Sequence, residues 1–169
     1  MTGYMRGGLM KRAIVAAALT CVAAVVSAQT GAPTDVPTRA RGAKRVVVGR
    51  ILEVQGQFQT NQFGDRVIVS NVLLDVSETL KGAVDSMLRL SVEGGTVGDL
   101  TLKVSDLPAV HPGDRGVFFL DDDGKGMHVP HDRGRGVLLL NGADRVEGTS
   151  LTLDDVRQQV RGAVGGGAR

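Results

Sequence analysis

The chain has 169 residues, with 20 Lys and Arg against 18 Asp and Glu, and its length is that of one ordinary domain. Without residues 1–28, which hold three basic residues and no acidic one, the net charge is about −1, so the domain lacks the basic footprint that nucleic-acid binding needs. Its single cysteine also lies in those residues, which excludes a disulfide from the rest of the chain.

Residues 1–28 have the three-part layout of a secretory signal peptide. Basic residues precede the apolar run 13–26, and small residues follow it up to Ala28, where we expect cleavage. The mature protein should therefore begin at Gln29 and be periplasmic or extracellular, with a membrane contact only through the transient signal peptide.

Two other interpretations of this segment are disfavoured. The apolar run has 14 residues, whereas a retained membrane-spanning helix needs roughly 20. The sequence "ALTC" before and at Cys21 lacks the neighbours that lipid modification normally requires. Because the segment from Met10 is already a complete signal peptide, we expect Met10, and not Met1 or Met5, to be the true start.

The composition then divides the chain into three parts. Residues 29–45 contain prolines, small polar residues and four basic residues without apolar periodicity, which predicts a flexible linker. Residues 46–164 form the single predicted domain, and residues 165–169 form a disordered, glycine-rich tail.

Within the domain the apolar residues follow a period of two, which indicates β-strands. The runs are 45–54, 66–76, 88–92, 100–104, 116–120, a weaker one at 127–129, and 136–140. Leu100, Leu102 and Val104 are predicted to form one buried face of their strand. The continuous apolar runs 116–120 and 136–140 are typical of strands buried on both sides.

The glycines Gly94, Gly95 and Gly98 lie between two of these predicted strands. A phosphate-binding glycine loop instead follows a strand and opens a helix, whose N-terminus faces the anion. We therefore predict a turn between antiparallel strands in which the glycines supply positive φ.

One helix is predicted, at the C-terminal end. Thr152 is placed as its N-cap, with Asp155 three residues later as in a capping box. Four apolar residues recur on one face, which should pack on the sheet: Leu153, Val156, Val160 and Val164. The predicted fold is all-β, a small antiparallel OB-like barrel or sandwich of six to seven strands with one C-terminal α-helix.

The histidines do not predict a metal site. His128 and His131 are spaced to share a face only on a helix, and Pro130 between them argues against one. Asp132 is the third member of this group. The run "DDDGKG" (121–126) resembles part of a calcium loop, but it lacks the terminal acid and fits a hairpin turn better.

We also expect no cofactor and no catalytic activity. The chain has no G-x-S-x-G, H-E-x-x-H or Walker sequence, and the domain has no cysteine nucleophile. His111 and Asp114 flank a Pro-Gly turn that should lead into the strand at 116–120. Single-strand nucleic-acid binding would need more exposed aromatic rings than four phenylalanines provide.

The stretch "GQFQTNQFG" (56–64) is the one segment whose composition suits ligand contact. It separates the first two strands and combines two rings with uncharged polar side chains. Its possible contact residues are Phe58, Gln59, Asn61, Gln62 and Phe63. Two alternatives are open: both rings fold back to plug a barrel end, or the loop projects and the rings anchor a ligand.

Four segments resemble a domain of secreted bacterial proteins that occurs alone or ahead of matrixin-like metalloprotease domains. They are "VVVGRILEV", "VIVSNVLLDVSETLKG", "VEGG" and "LPAVHPGDRGVFFL". The chain departs from that pattern at Val110, where an aromatic residue is expected, and at Asp114, where Glu is frequent. The resemblance implies no assigned activity and no catalytic residues.

These observations favour an exported, non-enzymatic binding or structural module of the cell envelope or exterior. Its partner would be a protein, a peptide or an envelope polymer. The alternative is an accessory or inhibitory domain that acts with a secreted protease, and a hydrolase in its own right is the third hypothesis.

Overall fold

The structure, a computed structural model, describes residues 35–61 and 63–166, so the predicted signal peptide lies outside the described residues. The elements in chain order are α1 (Val36–Gly42), β1 (Arg45–Thr60), β2 (Arg66–Lys81), β3 (Met87–Glu93), β4 (Gly95–Val97), β5 (Leu100–Leu102), β6 (Arg115–Asp122), β7 (His128–Pro130), a 3-10 helix (Arg133–Gly136), β8 (Val137–Leu140) and α2 (Leu153–Gly165). The predicted all-β fold with a C-terminal helix is confirmed.

Six strands form the main sheet in the order β1-β2-β3-β7-β6-β8, and β6 also pairs with β1. The pairings thus form a ring, β1–β2–β3–β7–β6 and back to β1. Its weakest junction is the parallel contact between β3 and β7, a single pair of Leu90 with His128. The result is a small, partly open barrel of OB-like strand order. β8 extends the ring beside the first half of β6.

The core has two parts on opposite faces of the β1–β6–β8 region. Phe118 packs inside the barrel with residues such as Leu74 and Leu90. Phe119, its neighbour in sequence, packs on the outer face with both helices. Because successive side chains of a strand point to opposite faces, a strand buried on both sides has to be apolar at every position. This confirms the prediction for the run 116–120.

Helix α2 begins as predicted. Thr152 accepts a hydrogen bond from the backbone N–H of Asp155, whose carboxylate accepts one from the backbone N–H of Thr152, which completes the capping box. Leu153, Val156 and Val160 are buried in the outer core. Val164, the fourth residue of the predicted face, is instead exposed, because it lies in the last turn beyond the core.

The predicted flexible linker is wrong for its second half. Asp35 caps helix α1, and Pro37 lies in its first turn, where a missing N–H costs nothing. Val36 and Ala40 of this helix are fully buried against the outer core. The helix escaped prediction because seven residues are too few to show a periodic apolar face.

The strand at 100–104 is also corrected. Gly94, Gly95 and Gly98 all have positive φ, as expected, but residues 95–97 of the predicted connection form strand β4, and β5 pairs with β4 in a separate two-stranded hairpin. Leu100 and Leu102 are exposed rather than buried. The apolar alternation is present in the sequence, but the described residues leave both leucines open to solvent.

Candidate ligand groove

The connection between β1 and β2 is shorter than predicted, because both strands continue to a turn at residues 61–65. Asn61 organises this turn: its side-chain oxygen accepts hydrogen bonds from the backbone N–H groups of Phe63 and Asp65, each at 2.9 Å. Phe63 is 79% exposed. The ring at the tip is therefore not a plug.

The arms of the hairpin carry the other predicted contact residues on two opposite faces. Gln59 pairs with Val67 on the outer face of the barrel, and Phe58 pairs with Ile68 on the inner one. Phe58 is partly exposed, and the guanidinium carbon of Arg66 lies 3.7 Å from its ring centroid, a cation–π contact. Gln62, the fifth predicted residue, lies outside the described residues.

A groove of about 530 Å³ lies on the outer face of β2 and β3, between the hairpin tip and the β6–β7 turn. It gathers three of the predicted contact residues and several that the sequence did not single out. Its walls are Gln59, Thr60, Asn61 and Phe63 from the hairpin, Val67, Val69, Ser91 and Glu93 from the strands, and Leu107, Asp123, Lys125, Val129, Pro130 and Arg133 opposite them. Apolar and polar side chains therefore alternate around the groove.

The β6–β7 turn is held by Asp123. Its carboxylate accepts hydrogen bonds from the backbone N–H groups of Lys125 at 2.6 Å and Met127 at 3.0 Å. The bond from Lys125, followed by that from Met127, holds the pKa of Asp123 below its ordinary value despite some desolvation. The stretch "DDDGKG" therefore contains the hairpin turn that was predicted, and this turn forms one wall of the groove.

Arg133 reaches the groove from a strained backbone. Asp132 and Arg133 have φ of 48° and 54°, a left-handed conformation that non-glycine residues rarely adopt. The next residue, Gly134, packs so closely on Asp106 that an added Cβ would overlap its carbonyl oxygen. Two consecutive strained residues beside a groove are typical of functional sites, where the surrounding structure imposes the conformation.

The guanidinium of Arg133 is shared between two carboxylates. It lies 2.7 Å from Glu93 of β3 and 3.7 Å from Asp106 of the loop after β5. All three side chains are more than half exposed, so a ligand can compete for them. There was little reason in the sequence to single out Arg133. It is one of two arginines in "HDRGRG", and nothing in that stretch indicates that Arg133 has a left-handed φ.

The histidines of the β7 region bind different carboxylates. His128 lies 3.1 Å from Asp122, and His131 lies 2.7 Å from Asp121. Burial raises the pKa of Asp122, but hydrogen bonds from Lys44 and Arg45 outweigh it and hold that pKa below its ordinary value. Among residues 35–61 and 63–166, no three His, Cys, Asp or Glu side chains are grouped as a metal ion requires.

His111 and Asp114 form a turn. The carboxylate of Asp114 accepts a hydrogen bond from the backbone N–H of His111 at 2.7 Å, and Gly113 has a φ of 97°. The backbone of Gly113 and Asp114 then pairs with Ile51 of β1, which leads the chain into β6. The predicted role of "HPGDRG" as a tight entry to that strand is confirmed.

A second cleft of about 610 Å³ opens at the end of the barrel, under the β4–β5 hairpin. Glu93 and Leu107 line both this cleft and the groove, so the two adjoin at the end of β3. Ser70 is the buried polar residue at its base, and its hydroxyl donates to the carbonyl oxygen of Gly94 at 2.8 Å. Its hydrogen-bonding capacity is thus used within the fold.

Comparison with known proteins adds no relative from which a function could be carried over. No protein-family model matches the sequence, and no curated protein matches it. Within the part of the chain that the structure describes, no helix is long and apolar enough to cross a membrane. The function has to be inferred from the groove itself.

Proposed function

We propose that this protein is an exported, non-enzymatic module that binds a glycan chain of the bacterial envelope in the groove between the hairpin tip and the β6–β7 turn. The observation that carries the proposal is the convergence of Phe63, Asn61 and Gln59 with Arg133 around one groove, whose strand residues include the apolar Val67 and Val69. Two of these side chains are held in place, Asn61 by the hydrogen bonds of its turn and Arg133 by its ion pair with Glu93.

The chemistry of the groove favours a glycan over a peptide strand. A sugar ring offers an apolar face, which can stack on an exposed aromatic ring, and hydroxyl groups, which planar polar side chains can bind. A peptide strand usually binds by adding to the open edge of a sheet. At the groove floor β2 and β3 pair with each other, so their backbone groups are already used.

The position of the groove in the fold also supports a binding function. OB folds bind oligosaccharides and oligonucleotides on the face of their second and third strands, flanked by the loop between strands 1 and 2 and the loop between strands 4 and 5. The groove lies on the corresponding face here. Because one fold hosts many functions, the identity of the ligand is inferred from the side chains and not from the fold.

The decisive experiment measures binding of soluble glycan strands, released from bacterial cell walls, by calorimetry. The Phe63→Ser and Gln59→Ala variants should each bind at least about tenfold more weakly, the loss expected for one contact residue. The matched control is Leu52→Ser, which removes another exposed apolar side chain outside the groove. Unchanged binding in both groove variants would contradict the proposal.

A protease assay separates the binding module from the alternative function. Inhibition of a secreted metalloprotease without any glycan binding would favour the accessory or inhibitory domain.

Export is tested by the intact mass of the protein from the export compartment, which should correspond to a chain that begins at Gln29. A mass that retains residues 13–26 would contradict the export prediction.

A further inference from the structure

The β4–β5 hairpin has an open edge along β5. β5 pairs with β4 alone, and all three of its residues are exposed. Leu100 is 60% exposed and Leu102 is 36% exposed, so two apolar side chains of this short edge are open to solvent. Natural edges are normally protected by charges, prolines or bulges, because an open apolar edge recruits another strand.

The hairpin geometry fixes which backbone groups face outward. The turn is Gly98–Asp99, with positive φ at Gly98, and it is closed by the pair of Val97 with Leu100. In antiparallel pairing the hydrogen-bonded pairs alternate with pairs that are not hydrogen-bonded. The next pair, Thr96 with Thr101, is therefore of the second kind, so the N–H and C=O of Thr101 point away from β4.

The sequence of this edge is complementary to itself. An antiparallel partner centred on Thr101 would place Leu100 opposite Leu102 of the second copy, and Asp99 opposite Lys103. Neither Asp99 nor Lys103 forms an ion pair with another described residue. A second copy would thus cover both leucines and pair both charges, twice over by symmetry.

We infer that β5 is a dimerisation edge, through which two copies of this chain form a four-stranded antiparallel sheet centred on Thr101. The partner is a second copy rather than an unrelated peptide, because the order Asp-Leu-Thr-Leu-Lys supplies its own complement in both charge and apolar contact. The contact is small, so the dimer forms at high protein concentration.

This edge does not line the groove, so the dimer stands independently of the proposed function. Two copies joined here would carry two grooves on one particle. A polymer with repeated sites would then bind with higher avidity than a single groove provides.

The dimer is tested by sedimentation equilibrium. The protein is expressed from the full chain and measured at micromolar to millimolar concentrations. The average mass of the wild type should rise toward twice that of one chain. Thr101→Pro removes the outward N–H without removing a β4 hydrogen bond, and it should abolish the rise. A thermal unfolding curve of this variant establishes whether the domain is still folded.

Charge reversal supplies a test that does not depend on proline. Asp99→Lys and Lys103→Asp should each weaken dimerisation about tenfold, because each opposes like charges at both ends of the contact. The double variant should restore it. The two single variants are complementary to each other, so an equimolar mixture should form a mixed dimer.

The matched control for these variants is Lys125→Asp, which reverses an exposed charge away from this edge and should leave dimerisation unchanged. A wild type that stays monomeric throughout would overturn the inference. So would charge variants that associate as the wild type does, or a folded Thr101→Pro variant that still dimerises.

Discussion

The ammonium group of Lys81, at the end of β2, lies 2.6 Å from the carbonyl oxygen of Ala43 and 2.8 Å from that of Ala40. A third bond of 3.1 Å goes to the carbonyl oxygen of Arg41. These carbonyls end helix α1, where no intrahelical donor is available and where the helix dipole favours a cation. One lysine therefore ties the helix to the barrel.

Lys81→Met should destabilise the protein by about 1 to 3 kcal/mol, because hydrogen bonds to a charged group are lost and partly buried carbonyls remain without a donor. Urea unfolding measures the change. Lys125→Met is the control, since its ammonium has no hydrogen-bond partner among the described residues and its removal should be nearly neutral. Equal stability of the two variants would mean that Lys81 does not hold α1.

The two core strands should respond unequally to truncation. Phe119 is fully buried among the helices, so Phe119→Ala should cost about 3 to 5 kcal/mol. Leu139 is only partly buried against the barrel interior, so Leu139→Ala should cost about half as much as a fully buried leucine, roughly 1 to 2 kcal/mol. Chemical unfolding compares the two, and a larger loss at Leu139 would contradict the described packing.

Substitutions of the two hairpin rings, Phe58 and Phe63, should affect the unfolding free energy differently. Phe63→Ser should change the unfolding free energy by less than about 0.5 kcal/mol, as expected of an exposed site. Phe58→Ser should lower it by about 1 kcal/mol or more, because a half-covered ring and its contact with Arg66 are lost. Thermal melts of both variants decide this, and a sharp fall for Phe63→Ser would restore the plug interpretation.

The strained backbone at Arg133 predicts that a glycine variant is more stable than an alanine variant. Arg133→Gly and Arg133→Ala lose the same ion pairs, but only glycine adopts a positive φ without cost. The glycine variant should therefore be the more stable by about 1 kcal/mol, whereas glycine is normally the less stable in ordered structure. Paired urea titrations measure the difference. An alanine variant of equal or higher stability would show that no strain is stored there.

The capping box should make the protein sensitive to acid. Hydrogen bonds from the side chain and then the backbone of Thr152 hold the pKa of Asp155 below its ordinary value. Because the pKa is lower in the folded state, this stabilisation is complete above the unfolded carboxyl pKa of about 4 and is lost as the pH falls through the folded value.

Asp155→Asn should accordingly lower the melting temperature at pH 7, and its deficit relative to the wild type should shrink below about pH 4. Melting curves of both proteins across the acid range measure this. Parallel profiles, with a constant difference at every pH, would mean that the charge of Asp155 is not what stabilises the helix.

Local patterns in the sequence determined the strands and the C-terminal helix. Alternation gave β3, the continuous apolar runs gave β6 and β8, and Thr152 with Asp155 gave the start of α2. Each of these signals arises from residues that are near neighbours in the chain, so a period or a cap is readable without knowing the partner. The proposed contact residues of the hairpin tip were likewise chosen by composition alone.

Only the tertiary structure decided what those elements meet. It buried α1 within the supposed linker, exposed Leu100 and Leu102, and divided the hairpin so that Phe58 and Phe63 serve different surfaces. It also brought Arg133 to the groove, about 70 residues along the chain from Phe63. Burial and convergence depend on contacts between distant segments, and no local period encodes which segment will cover a given face.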